Sequence, residues 1–263
     1  MNTLTLQLDR YELIYLLWRM KTLSLPGIGS KPFGGQFGYK VMTRLASAKQ
    51  SLQARGLIWI QETEVKINQN ALTLVGTCAL AKASLMIESL SKDSTPITLY
   101  FHFRSRQWVR HSMLERGLHI FDLVESPLPD LINLIGIIPL QDQSGTPVEF
   151  TLPKAVVELV FALFSNQQLP EAQHKLEDIC LPADLARVLI DTLSDLQQKI
   201  LIGVTLRSNT ENQEGEAVIL IRNTQGLWRV ESPVGNGSVK LTSISQQEIA
   251  DLFNCIAQQA QVP

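Results

Sequence analysis

Residues 97–135 open with ITLYFHFRSRQWVRHS and run through HIFDLVES to PDLINLI. Residues 217–256 open with AVILIRNTQGLWRVES and run through VKLTSIS to QEIADLFNCI. Each stretch reads as a strand, a tight turn, a second strand, a further extended piece and a short amphipathic helix, because two-residue alternation gives way to helical spacing of the apolar residues. In this alignment Trp108 stands where Trp228 stands, and Leu131-Ile132-Asn133-Leu134-Ile135 matches Leu252-Phe253-Asn254-Cys255-Ile256. Self-similarity at a long, fixed spacing is the mark of a unit used twice.

The flanking sequence extends the match. LTLQL at 4–8 and Val148–Leu152 are extended leads, each followed by an amphipathic helix. Asp9 and Glu12 have capping-box spacing ahead of Leu13, Leu16, Leu17 and Met20, and Pro153 opens a helix striped with Val156, Val157, Val160, Phe161 and Phe164. Ser84–Leu90 and Ile200–Arg207 read as the strands that precede the two hairpins, with a polar loop at Ser165–Glu171. The first half carries an additional helix over 40–55, stopped at Gly56, then short extended pieces at Leu57–Gln61 and Glu64–Asn68 and a helix from Ala71 to Ala81. Strands joined by hairpins pair antiparallel, so the fold class is α+β: an antiparallel central sheet with helical bundles, built from two pseudo-two-fold-related halves through internal duplication. The chain reads as a single domain, 1–263, with halves at 1–146 and 147–263 separated by the polar segment Gln141–Pro147. Edge-to-edge pairing of the halves would cover the sheet edge that each would otherwise expose.

Composition excludes several classes. The net charge of −2 gives no chain-wide field for nucleic acid. Cys78, Cys180 and Cys255 are three in number and far apart, with no zinc spacing, so buried free thiols in a reducing, cytoplasmic setting are expected. The N-terminal MNTLTLQLDR lacks the basic and apolar regions of a signal peptide, and no apolar run approaches the ~20 residues of a membrane span.

Candidate chemistry is sparse. The Gly-rich stretch ending Gly34-Gly35-Gln36-Phe37-Gly38 does not match a phosphate-binding loop. His102, His111 and His119 lie around the first hairpin, and His102, flanked by Tyr100 and Arg104, is expected on the solvated face. No serine or cysteine sits in a nucleophile signature, and no catalytic residue, cofactor or metal ligand is assigned; the chain reads as not an enzyme. Arg104, Arg106, Trp108, Arg110 and His111 form a basic and aromatic cluster, which describes either a solvated turn over a packed tryptophan or a ligand surface for an anion, a peptide or a single strand. Helix 40–55 with its following extended pieces has the rhythm of a winged helix. Lys40, Arg44, Ser47, Ser51 and Arg55 share its polar face, so a DNA-binding regulator is the alternative reading.

The order RLASAKQSLQARGL, NALTLVGTCALAKASLMIES, FTLPKAVVELVFAL, LIDTLSDLQQKILIGVTL, AVILIRNTQGLWRVES and VKLTSISQQEIADLFNCI resembles the EspG family, the cytosolic chaperones of type VII secretion systems. That resemblance implies a non-enzymatic cytoplasmic binding chaperone without a cofactor. Its partner would be a helical secreted protein of PE–PPE type, with neither nucleic acid nor membrane involved. It also points to the second half as the partner-binding surface, at a helix over Pro182–Lys199 and an exposed loop over Ser208–Gly215. On that helix Leu185, Val188, Leu189, Leu193 and Leu196 form the buried stripe. Arg187, Asp191, Asp195 and Gln198 then face outward, and Asn209 and Glu211 lie in the loop.

Overall fold

The computed structural model describes residues 4–22, 25, 38–91, 95–114, 117–135, 149–165, 168–178, 189–190, 198–207, 212–213, 217–222, 226–231 and 237–259. The first half opens with β1 (Thr5–Asp9), α1 (Arg10–Arg19) and α2 (Tyr39–Ala54). A small hairpin, β2 (Ile58–Gln61) and β3 (Glu64–Ile67), leads to α3 (Gln69–Ala79). Then come β4 (Ala83–Ser91), β5 (Ile97–Arg104), β6 (Gln107–Leu114), β7 (Leu118–Val124) and α4 (Leu128–Ile135). The second half has β8 (Glu149–Pro153), α5 (Lys154–Ser165), α6 (Leu169–Glu177), β9 (Gln198–Arg207) and the two-residue β10 (Asn212–Gln213). It closes with β11 (Ala217–Arg222), β12 (Leu227–Glu231), β13 (Ser238–Ile244) and α7 (Gln246–Gln259). The fold is α+β, and no helix among the described residues is long and apolar enough to cross a membrane.

The main sheet runs β1-β7-β6-β5-β4-β9-β11-β12-β13-β8, with β10 paired to β9, and every pairing is antiparallel. Read from either end, this order is the same: lead strand, last strand, the hairpin, then the strand that precedes the hairpin. The halves meet where β4 pairs β9, and Ile87 opposite Ile202 lies midway along that seam. Both leads, β1 and β8, show the same alternation of exposed and buried residues.

Each face of the sheet is covered differently. On one face Leu6, Leu8, Val109 and Phe121 pack under α1 and α3, with Leu45, Ala48 and Leu52 of α2 in the same cluster. On that face of the second half, Phe150, Leu152, Ile221, Trp228, Val239 and Leu241 pack with Leu176, Leu189 and Ile190. The opposite face joins both halves in one cluster. Leu85, Ile87, Phe101, Trp108, Ile202, Leu220, Leu227 and Ile244 meet Leu131 of α4 and Ile249 of α7. Apolar burial contributes roughly 25 cal/mol per Å², so this shared cluster helps to hold the two halves together.

Several expectations are corrected. Trp108 and Trp228 are not equivalent. Trp108 packs in the cluster shared with Leu227, whereas Trp228 points to the other face against Phe150. Trp108 pairs with Val124 as Leu227 pairs with Ile244, so Leu227 is the counterpart. The turns do not differ in register, since Phe103 pairs with Trp108 and Arg222 with Leu227, each five residues apart; the whole second hairpin is shifted by one residue against the sequence match. In a strand one residue reverses the face. His102 is not solvated but fully buried. A helix, Leu169–Glu177, begins within the loop expected at Ser165–Glu171. The helix placed over Pro182–Lys199 cannot reach its end, because Gln198 and Lys199 already belong to β9, where Gln198 pairs with Ser91 and Arg222. Within the expected loop Ser208–Gly215, Asn212 and Gln213 form a strand on β9. Cys255 is exposed and Cys78 buried; Cys180 lies outside the described residues.

Candidate partner-binding site

The site forms where the two helical covers leave the sheet. Directly paired residues share a face, so the face that carries α3 in the first half can be followed across the seam. One row reads Leu6, Phe121, His111, Tyr100, Met86 and Gly203. The next reads Thr98, Glu88, Leu201, Ile219, Val230, Leu241 and Phe150. Leu6, Phe121, His111, Leu241 and Phe150 in these rows are buried, whereas Met86, Glu88, Thr98, Tyr100, Leu201, Gly203 and Ile219 are partly buried and Leu90 is 41% exposed, with no helix over them among the described residues. Gly203 leaves room for Met86, whose Cε would lie 3.7 Å from a Cβ there. The result is a strip along β5, β4, β9 and β11 that carries Met86, Leu90, Leu201 and Ile219 together with Tyr100, Thr98 and Glu88, and Lys199 shares its face opposite Leu90.

A ladder of aromatic rings forms its first-half border. Tyr100 stacks on His102 and His111 at 6.3 and 5.6 Å between ring centres, and His111 stacks on Phe121 at 4.6 Å. The Ser84 hydroxyl and His102 Nδ1 are 2.9 Å apart, as are His111 Nε2 and His119 Nδ1. Burial, helped by the charges of His102 and His119, pushes the His111 imidazole down to about 2. Burial and the nearby Arg10 lower His119 as well. Both rings are neutral at pH 7, so the ladder is a packing element. Burial and then the Glu88 charge raise the Tyr100 hydroxyl above its ordinary value. Among the described residues, no group of three or more His, Cys, Asp or Glu side chains could hold a metal ion.

The basic and aromatic cluster of the first hairpin does not form one surface. Trp108 and His111 are buried, and Arg110 binds Asp122 and Asp130 at 2.9 and 2.5 Å. On α2 the face read as DNA-binding is turned partly inward. Arg55 and Ser51 both reach the buried Glu12 carboxylate, at 2.8 and 2.7 Å, and Arg44 lies over the Tyr11 ring with a 2.6 Å bond to its hydroxyl. The hairpin beyond α2 turns through Glu62, and its Lys66 is paired with Glu64, so it presents no net positive charge for phosphate. Of the residues assigned to partner binding from the sequence, Gln198 lies on the sheet. Arg187, Asp191, Asp195, Asn209 and Glu211 lie outside the described residues. Sequence reading missed the strip. Its one signal was Glu88 within the alternating SLMIES of β4, on the phase opposite Leu85 and Ile87.

An α+β architecture with a two-halved antiparallel sheet and a helical cover on each half defines the class. No protein-family model matches the chain, and no curated protein matches it in sequence. Among solved structures it resembles the Mycobacterium tuberculosis type VII secretion system chaperone EspG5, determined in complex with a PE25–PPE41 dimer. The TM-score is 0.63 at 8% sequence identity, covering 96% of this chain and 95% of that one. The likeness establishes a shared fold across nearly the whole of both chains.

Proposed function

We propose that this protein is a non-enzymatic binding chaperone, a single domain acting in the cytosol, that holds a secreted, helical protein before export. The observation that carries the reading is the shared fold with EspG5 over almost the full length of both chains. The partly covered strip at the seam supports it, since a sheet face left open between two helical covers can take a further element. The proposed contacts combine this strip with the second-half positions Arg187, Asp191, Asp195, Asn209 and Glu211; Gln198 is left out, because strand register puts it on the opposite face of the sheet. An interface of ordinary size there would bury about 800 Å² on each side.

The test is co-expression of the tagged chain with helical secreted proteins encoded beside it. A single partner is expected to co-elute in size-exclusion chromatography and to be soluble only in company. Partners that are all soluble alone and all elute separately from the chain would overturn the reading. Charge reversal at Arg187 and Asp191 together is expected to weaken that complex while leaving the melting temperature in place, because surface substitutions usually cost under ~0.5 kcal/mol each.

A further inference from the structure

The two outer strands of the main sheet end it differently. In β1 the Leu4 carbonyl accepts from the Leu123 amide at 3.0 Å, so Leu4, Leu6 and Leu8 bond across to β7 and the backbones of Thr5, Gln7 and Asp9 face outward. The chain closes much of that edge itself: Arg55, at the end of α2, donates to the Gln7 carbonyl at 2.5 Å, and Glu12 accepts from the Asp9 amide at 3.0 Å. In β8 the Lys154 amide donates to the Gly237 carbonyl at 2.7 Å, so Phe150 and Leu152 bond to β13 and the backbones of Glu149, Thr151 and Pro153 face outward. Thr151 is the counterpart of Gln7 in the shared burial pattern, yet among the described residues nothing meets its outward amide or carbonyl. The helices repeat the contrast. α1 and α5 each follow their lead strand without a gap, so Ala155 has the place of Tyr11. Tyr11 faces α2, with Arg44 over its ring at 5.0 Å. Ala155, Leu159 and Ala162 continue that side of α5 at helical spacing, and all three are exposed. An unpaired backbone edge therefore lies beside an uncovered apolar helix stripe.

We propose that this edge binds a second copy of the chain, β8 against β8 antiparallel about a two-fold axis at Thr151, so that two sheets become one. The edge is complementary to itself in that register. The Thr151 amide and carbonyl meet those of Thr151 of the second copy, and the Glu149 amide meets the Pro153 carbonyl. Every outward donor then has an acceptor, and the N–H that proline lacks falls opposite the Glu149 carbonyl, at the rim. The side chains agree. Thr151 lies against Thr151, a favourable cross-strand pair, and Glu149 beside Pro153, whereas a pairing centred on Glu149 would set two carboxylates face to face. The helices fit as well. α5 packs over β8 and β13. With strands about 4.8 Å apart, two such helices over the joined edges stand about 10 Å from each other, the spacing of packed helices. Ala155 and Ala162 are small enough to let the Leu159 side chains meet between them. The contact is isologous and closes at two copies. β12 and β13 separate β8 from the seam strip, so the dimer leaves that strip open.

The test is analytical ultracentrifugation of the full chain alone. A monomer–dimer equilibrium is expected across about 1–100 µM. Thr151→Pro removes the amide at the axis and no bond within the chain, and Thr151→Lys sets two ammonium groups opposite each other. Each is expected to weaken dimerisation by about tenfold or more with the circular dichroism spectrum unchanged. Should Thr151→Pro alter the spectrum, Thr151→Lys decides. Gln7→Pro makes the same change on the β1 edge and is expected to leave the dimer as it is. Leu159→Glu is expected to weaken it. Amide hydrogen exchange at Glu149 and Thr151 is expected to slow as the protein concentration rises, with Thr5 and Gln7 unaffected. A chain that is monomeric throughout, assemblies larger than a dimer, a dimer untouched by Thr151→Lys, or protection that rises at Thr5 and Gln7 instead would each overturn the proposal. Co-elution with a secreted partner is a separate measurement, so the chaperone reading can stand when this one falls.

Discussion

His102, His111 and His119 show how one residue type acquires its role from its neighbours. All three are 2% exposed or less, and the 2.9 Å contact between His111 Nε2 and His119 Nδ1 needs an unprotonated nitrogen on one of the two rings. A histidine lowered on folding contributes stability that is complete above its unfolded value, near 6.5, and is lost progressively as pH falls toward the folded value, here about 2 for His111. The protein is therefore expected to weaken in mild acid. Between pH 7 and pH 5 the unfolded state takes up a proton that folded His111 refuses, a cost of about 2 kcal/mol. His111→Phe keeps the stack on Tyr100 and Phe121 and removes that proton. Urea unfolding at the two pH values is expected to show a loss about 2 kcal/mol smaller in the variant than in wild type; equal losses would show that His111 does not carry the acid sensitivity. Sequence alternation correctly grouped Tyr100, His102 and Arg104 on one face. It did not reveal that α3 lies over the buried part of that face, because a helix contributes no signal to the strand it covers.

At the scale of elements, the hairpin turns decide most. Ser105 and Arg106 connect β5 to β6 with φ of 51° and 64°. Positive φ at both central positions is the type I′ geometry that matches the twist of paired strands and favours Asn-Gly. Neither serine nor arginine adopts it readily. Ser105→Asn with Arg106→Gly is expected to raise stability by about 1 kcal/mol, read as a higher urea midpoint at unchanged slope. An unchanged or lower midpoint would mean that the Arg106 side chain contributes more than the strain. Trp108 lies on one face and Trp228 on the other, because the strand register aligns Leu227, not Trp228, with Trp108. The recurrence of tryptophan was visible in the sequence, but its meaning depended on strand register. The capping box of α1 was fully local and therefore legible. Asp9 Oδ1 accepts from the Tyr11 and Glu12 amides at 2.7 and 2.9 Å, and Glu12 Oε2 accepts from the Asp9 amide at 3.0 Å.

For the whole molecule the seam is decisive. β4 pairs with β9 over Ala83–Ser91, and the cluster beneath it contains residues from both halves. Fragments 1–146 and 147–263 each leave a long apolar inner strand unpaired, an open edge that invites aggregation. Expressed apart, the fragments are expected to self-associate or precipitate. Mixed during refolding, they are expected to form a one-to-one complex with the circular dichroism spectrum of the intact chain. Two monomeric, folded fragments that ignore each other would show that the seam is dispensable.

The sequence by itself determined the α+β class, the order of strands and helices in the first half, the α1 cap and the reach of α2 and α3. These follow from two-residue and 3.6-residue periodicity, turn residues and caps, all of which act over short spans. Only the tertiary structure decided which face each strand buries, the offset between Trp108 and Trp228, the burial of the histidines and the strip around Glu88. Those depend on which elements cover the sheet and where two remote edges meet, and a face left between two covers has no pattern of its own in the chain.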